Sequence, residues 1–113
     1  MQLSEVIERL SLDVFAVAGE VDVAVTGGIS SDLLSYVLSA AKPGDLWITI
    51  QHHENVVAVA QVAGLAAVVL ADGRQPSDGT RERASAAGVA LLGSSETMFE
   101  VGARLHGLLA GDR

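Results

Sequence analysis

Cysteine is absent from the 113 residues. Disulfides, thiolate nucleophiles and sulfur-bound zinc are therefore excluded, and nothing suggests export. Lysine occurs once, at Lys42, so the chain has no polybasic tract. Fourteen acidic residues against seven basic ones give a formal charge of −7. Duplex nucleic acid and anionic membranes require a basic face, so neither is expected as a partner. The longest nearly uncharged apolar tract, Val56 to Ala71, is interrupted by Gln61 and Gly64 and falls short of a membrane span. The first residues, Met1 to Glu5, are acidic rather than basic and lack the apolar core of an export signal. A cytoplasmic location is the resulting expectation.

Apolar side chains are what the sequence has in excess. Half of the residues are hydrophobic, and the mean hydropathy is +0.41. A chain of this length forms one domain, residues 1–113, and buries about two thirds of its unfolded surface. Some of this apolar content is then left uncovered in a monomer, which predicts a homodimer or a protein partner.

Periodicity sets out the elements. Ser4 is expected to cap a short helix carrying Val6, Ile7 and Leu10, followed by a strand from Leu12 to Val17 and a turn at Gly19-Glu20. Val21 to Val25 alternates as a half-buried strand, Thr26 to Ile29 reads as a loop, and Ser30-Ser31-Asp32 opens a helix from Leu33 to Ala41. Lys42-Pro43-Gly44-Asp45 is a stop and turn. The pattern then repeats. Strands are expected at Leu46–Ile50, Leu65–Leu70 and Val89–Leu92, with helices at Asn55–Ala63, Ser77–Ala87 and from Gly93-Ser94-Ser95 onward. Val56 to Ala60 is rich in β-branched residues and suits a strand as well. Close flanking strands and Gly64 favour a helix, which is apolar nearly all round and needs cover on more than one side. Gly64 and Gly88 follow helices as left-handed caps do. The fold class is α/β: a mostly parallel sheet of about five strands flanked by helices.

In a parallel sheet the strands end on one edge, where helix amino termini offer unpaired N–H groups. Four loops are expected to meet there: Thr26–Ser31, Gln51–Asn55, Asp72–Arg74 and Gly93–Ser95. Their residues suit a small anion, with Thr49, His53 and Asn55 as polar contacts, Gly27, Gly28, Ser30, Ser94 and Ser95 as backbone or hydroxyl donors, and Arg74 as countercharge. The same residue types also make plain caps and turns. Arg74, Arg81 and Arg83 form either a local anion site or a solvated helix face. Thr26-Gly27-Gly28 lacks the spacing of a dinucleotide fingerprint. Gly73 with Gly79-Thr80 is one residue too long for a phosphate loop and has no lysine. Adjacent His52 and His53 cannot share one metal ion on a regular element, and the third histidine, His106, lies in the last helix. No serine sits in a nucleophile elbow. No cofactor or metal is expected, and a small enzyme using His53 as acid or base lacks a second catalytic group.

Four segments carry a family resemblance: Gly28-Ile29-Ser30-Ser31-Asp32-Leu33-Leu34-Ser35, Gly44-Asp45-Leu46-Trp47-Ile48-Thr49-Ile50, Asn55-Val56-Val57-Ala58-Val59-Ala60, and Ser95 to Phe99. Over nearly its whole length the chain resembles the DRTGG domain family. Such domains look like the N-terminal domain of HPr kinase/phosphorylase, and occur between CBS modules of some pyrophosphatases and within long phosphotransacetylases. The resemblance implies a non-catalytic regulatory or dimerising module, in some settings beside an adenine-nucleotide sensor. No kinase domain or CBS module is expected within these 113 residues, so the resemblance implies no kinase activity.

Overall fold

A computed structural model describes residues 1–17 and 22–111. The expected turn at Gly19-Glu20, and Val21 at the start of the expected second strand, lie outside the described residues. The elements are α1 (Leu3–Arg9), β1 (Asp13–Ala16), β2 (Gly27–Ser30), α2 (Leu34–Ala40), β3 (Asp45–Thr49), α3 (Asn55–Ala63), β4 (Ala67–Leu70), α4 (Asp78–Ala87), β5 (Leu91–Gly93) and α5 (Met98–Gly111). The strands form one sheet in the order β1-β5-β4-β3-β2. β2 to β5 are parallel, and only β1 runs against its neighbour. The α/β class and the mostly parallel five-stranded sheet are as the sequence predicts.

Alternation along β3 builds both sides of the core. Leu46 and Ile48 join Leu3, Val6, Val101 and Leu105 under α1 and α5. Trp47 points the other way, into a cluster with Val37, Val56, Val57 and Ala84 from α2, α3 and α4. All three β3 side chains are at most 1% exposed, and burial of such side chains stabilises by about 1.5–3 kcal/mol each. α3 lies on the sheet between α2 and α4. Its all-round apolar character is thus met within the chain, apart from exposed Val62. Gly64 (φ 67°) and Gly88 (φ 70°) end α3 and α4 in the left-handed region, as expected.

Two expectations need correction. The second strand is not at 21–25: within the described part of that stretch only Ala24 is bridged, to Gln2. The strand is instead Gly27–Ser30, which was expected to be mostly loop. Glycine offers no side chain to carry a period-two pattern, and here its smallness is what the packing needs. A Cβ on Gly28 would come within 2.7 Å of Leu105 on α5, and one on Gly27 within 2.7 Å of the Asp45 carboxylate. Nor does Ser4 cap α1. The cap position is Gln2, without a side-chain bond, while the Ser4 N–H (3.1 Å) and hydroxyl donate to the Asp22 carboxylate.

At the first turn of α5, the Thr97 hydroxyl accepts the Glu100 N–H at 3.1 Å, and the Glu100 carboxylate accepts the Thr97 N–H at 3.0 Å. This is a capping box. The Ser4 hydroxyl, and next the Ser4 N–H, hold the Asp22 carboxyl below its ordinary range; the Thr97 N–H and then its hydroxyl do the same for Glu100. Both pKa values are lowered on folding. Their stabilisation is therefore complete above the unfolded carboxyl pKa, about 4, and is lost as pH falls through the lower folded values. Replacing both groups (Asp22→Asn with Glu100→Gln) should flatten the fall in stability between about pH 5 and pH 2, read by urea unfolding at successive pH values.

Candidate functional site

The carboxyl edge of the parallel sheet is built from the loops that follow β2, β3, β4 and β5. After β4, Ala71-Asp72-Gly73-Arg74 is a tight turn closed by the Arg74 N–H on the Ala71 carbonyl at 3.1 Å. Both central residues have positive φ, 62° at Asp72 and 69° at Gly73, so the turn is type I′, which Asp-Gly favours. The next loop holds it in place: the Asp72 N–H donates to the Glu96 carbonyl at 2.7 Å and the Gly73 N–H to that of Ser94 at 2.9 Å. Arg74 is presented at the tip, exposed, with no ion pair among the described residues.

A second junction joins the loop after β3 to the start of α4. The Ser77 hydroxyl accepts the Thr80 N–H at 3.1 Å and so caps α4. Thr80, buried beneath it, donates its own hydroxyl to the His52 carbonyl at 3.2 Å. His53 Nδ1 accepts the Asn55 N–H at 3.3 Å, taking up one free donor at the start of α3 and leaving Nε2 as the exposed nitrogen.

The expected site residues fall into three groups. His53, Asn55, Arg74 and Ser95 are exposed on the carboxyl edge. Thr49 and Ser94 are at that edge but buried, with hydroxyls that accept the Gln51 and Glu96 N–H groups at 3.1 Å each. They shape the corners, and their hydroxyl oxygens are engaged within the fold. Gly27 and Gly28 are elsewhere. They open β2 opposite Asp45 and Leu46, at the amino end of the parallel strands, so the four expected loops do not all converge. Ser30 closes β2 at the carboxyl end but is three strands away from β5, roughly 14 Å at normal strand spacing. No single small ligand can touch all nine residues.

The charge of the edge limits its chemistry. Arg74 shares it with exposed Glu54, Asp72 and Asp78. Arg81, the second arginine of the expected cluster, stacks over the Phe15 ring at 5.2 Å from its centroid. Among the described residues no group of three potential ligands could hold a metal ion.

Gly27, Gly28 and Ser30 belong to a different concavity that sequence reasoning did not find. One hollow of about 360 Å³ lies between β2 and α5, where Ile48, Gly102, Leu105, His106 and Leu109 join them. Another of about 440 Å³ lies on the opposite face, between β2 and α2, with Tyr36, Lys42, Pro43 and Asp45. The glycine pair was the available signal, read as turn chemistry rather than as close packing.

No helix among the described residues is long and apolar enough to cross a membrane. No family model matches the chain, and no curated protein matches it. Among solved structures, it is similar to the CBS and DRTGG domains of the regulatory region of Clostridium perfringens pyrophosphatase, in complex with the activator diadenosine tetraphosphate. The TM-score is 0.70 at 13% identity, over 91% of this chain and 45% of that one. The likeness is one of fold, and this chain spans less than half the length of that region.

Proposed function

We propose that this chain is a non-catalytic regulatory module that binds a small anionic metabolite, an adenine nucleotide among the candidates, and acts on a partner protein. The observation that carries this reading is the fold, which resembles part of a regulatory region crystallised with a dinucleotide activator. The carboxyl edge supplies a coherent subset of contacts. Arg74 stands on a rigid I′ turn, Ser95 and Asn55 are exposed beside helix amino termini, and the His53 imidazole presents Nε2 outward. Self-association belongs to the same reading, supported by exposed Leu33, Leu38 and Val62 on and beside α2 and α3. Light scattering reads it directly. A purely structural dimeriser is the alternative, and it predicts no ligand response. Catalysis by His53 has less support, because its Nδ1 is engaged in capping α3.

A thermal-shift screen of ATP, diadenosine tetraphosphate, acetyl phosphate and acetyl-CoA tests the proposal. A ligand at 100 times its dissociation constant should add about 2.7 kcal/mol to stability. The shift should shrink in Arg74→Ala, whose exposed side chain contributes little to the fold itself. A flat response to all four compounds would leave the structural alternative standing.

A further inference from the structure

We propose that the open edge of β2 receives an extended segment of a partner protein as an added strand, with successive side chains entering the two hollows that flank it. β2 ends the sheet and pairs only with β3 among the described residues. The Ser31 N–H bonds inward to the Ile48 carbonyl at 3.1 Å. The two-residue period of a strand then turns the N–H and C=O of Ser30 and Gly28 outward. Burial agrees, since Gly28 and Ser30 are exposed while Gly27 and Ile29 are half-buried. An edge of unpaired backbone groups is a template for strand addition.

The hollows say what kind of strand fits. Both include Gly27, Gly28 and Ile29, and they lie on opposite faces of the same strand. A segment paired with β2 sends alternate side chains to these two faces, which is how strand-addition sites read sequence. The hollow beneath α5 is walled by Ile48, Leu105 and Leu109 and suits an aliphatic side chain. The other contains Asp45, whose Oδ2 accepts the Lys42 N–H at 2.9 Å. Its Oδ1 faces the space where Gly27 has no side chain, 2.7 Å from a Cβ placed there. A lysine or arginine of the incoming strand can reach that oxygen. The net charge of −7 favours a basic segment over an acidic one. A second copy of β2 fits less well. It would bring two glycines, Ile29 and Ser30, leaving the aliphatic hollow without a side chain to fill it. This site is separate from the carboxyl-edge ligand site and does not depend on it.

The probe is a fluorescein-labelled, end-blocked heptapeptide, Lys-Leu-Arg-Val-Arg-Leu-Lys, followed by fluorescence anisotropy. Its control is the block isomer Leu-Leu-Val-Lys-Arg-Arg-Lys, identical in composition and charge. The alternating peptide should bind at least about tenfold more tightly than the isomer. Ser30→Pro removes an outward N–H and should abolish the difference, since proline is tolerated on an edge strand. Gly102→Leu fills the α5-side hollow and leaves the β2 backbone intact; it should abolish the difference as well. Circular dichroism checks that both variants remain folded. Equal binding of the two isomers would reduce the interaction to charge and overturn the proposal. Failure of the alternating peptide to bind, or retained preference in both variants, would overturn it too. A dimer that Ser30→Pro converts to monomer in light scattering would hand this edge to a second copy instead.

Discussion

Trp47→Ala is expected to remove about 3–5 kcal/mol of stability, a large share of the roughly 5–15 kcal/mol typical of a domain this size. The side chain is 0% exposed and sits centrally among Val37, Val56, Val57 and Ala84, so its loss leaves a cavity that three helices cannot close together. The indole also does polar duty, donating Nε1–H to the Ser31 carbonyl at 2.8 Å. That bond ties the end of β2 to the middle of β3. Trp47→Phe separates the two contributions, because it keeps most of the packing and deletes the donor. A loss of about 1–2 kcal/mol is expected from that change. Urea unfolding followed by circular dichroism measures both variants, since fluorescence disappears with the only tryptophan. A Trp47→Ala cost below that of Trp47→Phe would contradict the packing described for β3.

Gly93→Ala is the second large effect. β5 passes under Phe15 of β1 so closely that a methyl group at residue 93 would lie 2.5 Å from Cε2 and 2.7 Å from Cζ of the ring. The half-buried ring packs against the core on that face and carries the Arg81 guanidinium 5.2 Å from its centroid, so its retreat would disturb both contacts. Overpacking of this kind costs about 1–3 kcal/mol, and here it also strains the pairing of the one antiparallel strand. The cause is testable within the same molecule. Phe15→Leu should relieve much of the Gly93→Ala cost, so that the double variant is more stable than the sum of the single losses predicts. Strict additivity would place the damage elsewhere than the ring.

These sites show why some of the architecture could be read from the chain and some could not. α3, α4 and their glycine caps were legible because each is announced locally: α3 by a run of apolar residues, α4 by the capping Ser77, and both by a closing glycine suited to left-handed backbone. The boundaries at Asn55–Ala63 and Gly64 match to the residue. β3 was equally clear, as a continuous apolar run between turn signals. β2 was not, because two of its four residues are glycine. It is a strand by virtue of Asp45 and Leu105, 18 and 77 positions away from Gly27 and Gly28 respectively, and no local window contains them. The candidate site suffered the same way. Once the glycines moved into the strand, the expected nine contacts split between two ends of the sheet. His53, Asn55, Arg74 and Ser95 stayed exposed at the carboxyl edge, while Thr49 and Ser94 turned out to be engaged in holding corners. Ser and Thr hydroxyls at loop starts bond to backbone two or three residues on as readily as to a ligand, and sequence does not say which.

The far border of the sheet has a consequence for how copies of the molecule can assemble. The register of β1 against β5 shifts between Val14 and Ala16, and such an irregularity bends a border strand away from the flat template that another chain would need. Of the two borders of the sheet, only β2 then keeps a regular backbone register toward the outside. Strand addition at one border alone makes a terminated pair or complex, because a fibre built through sheet edges requires complementary borders at both ends. Edge-to-edge propagation of the sheet is therefore blocked so long as β1 keeps its irregular border.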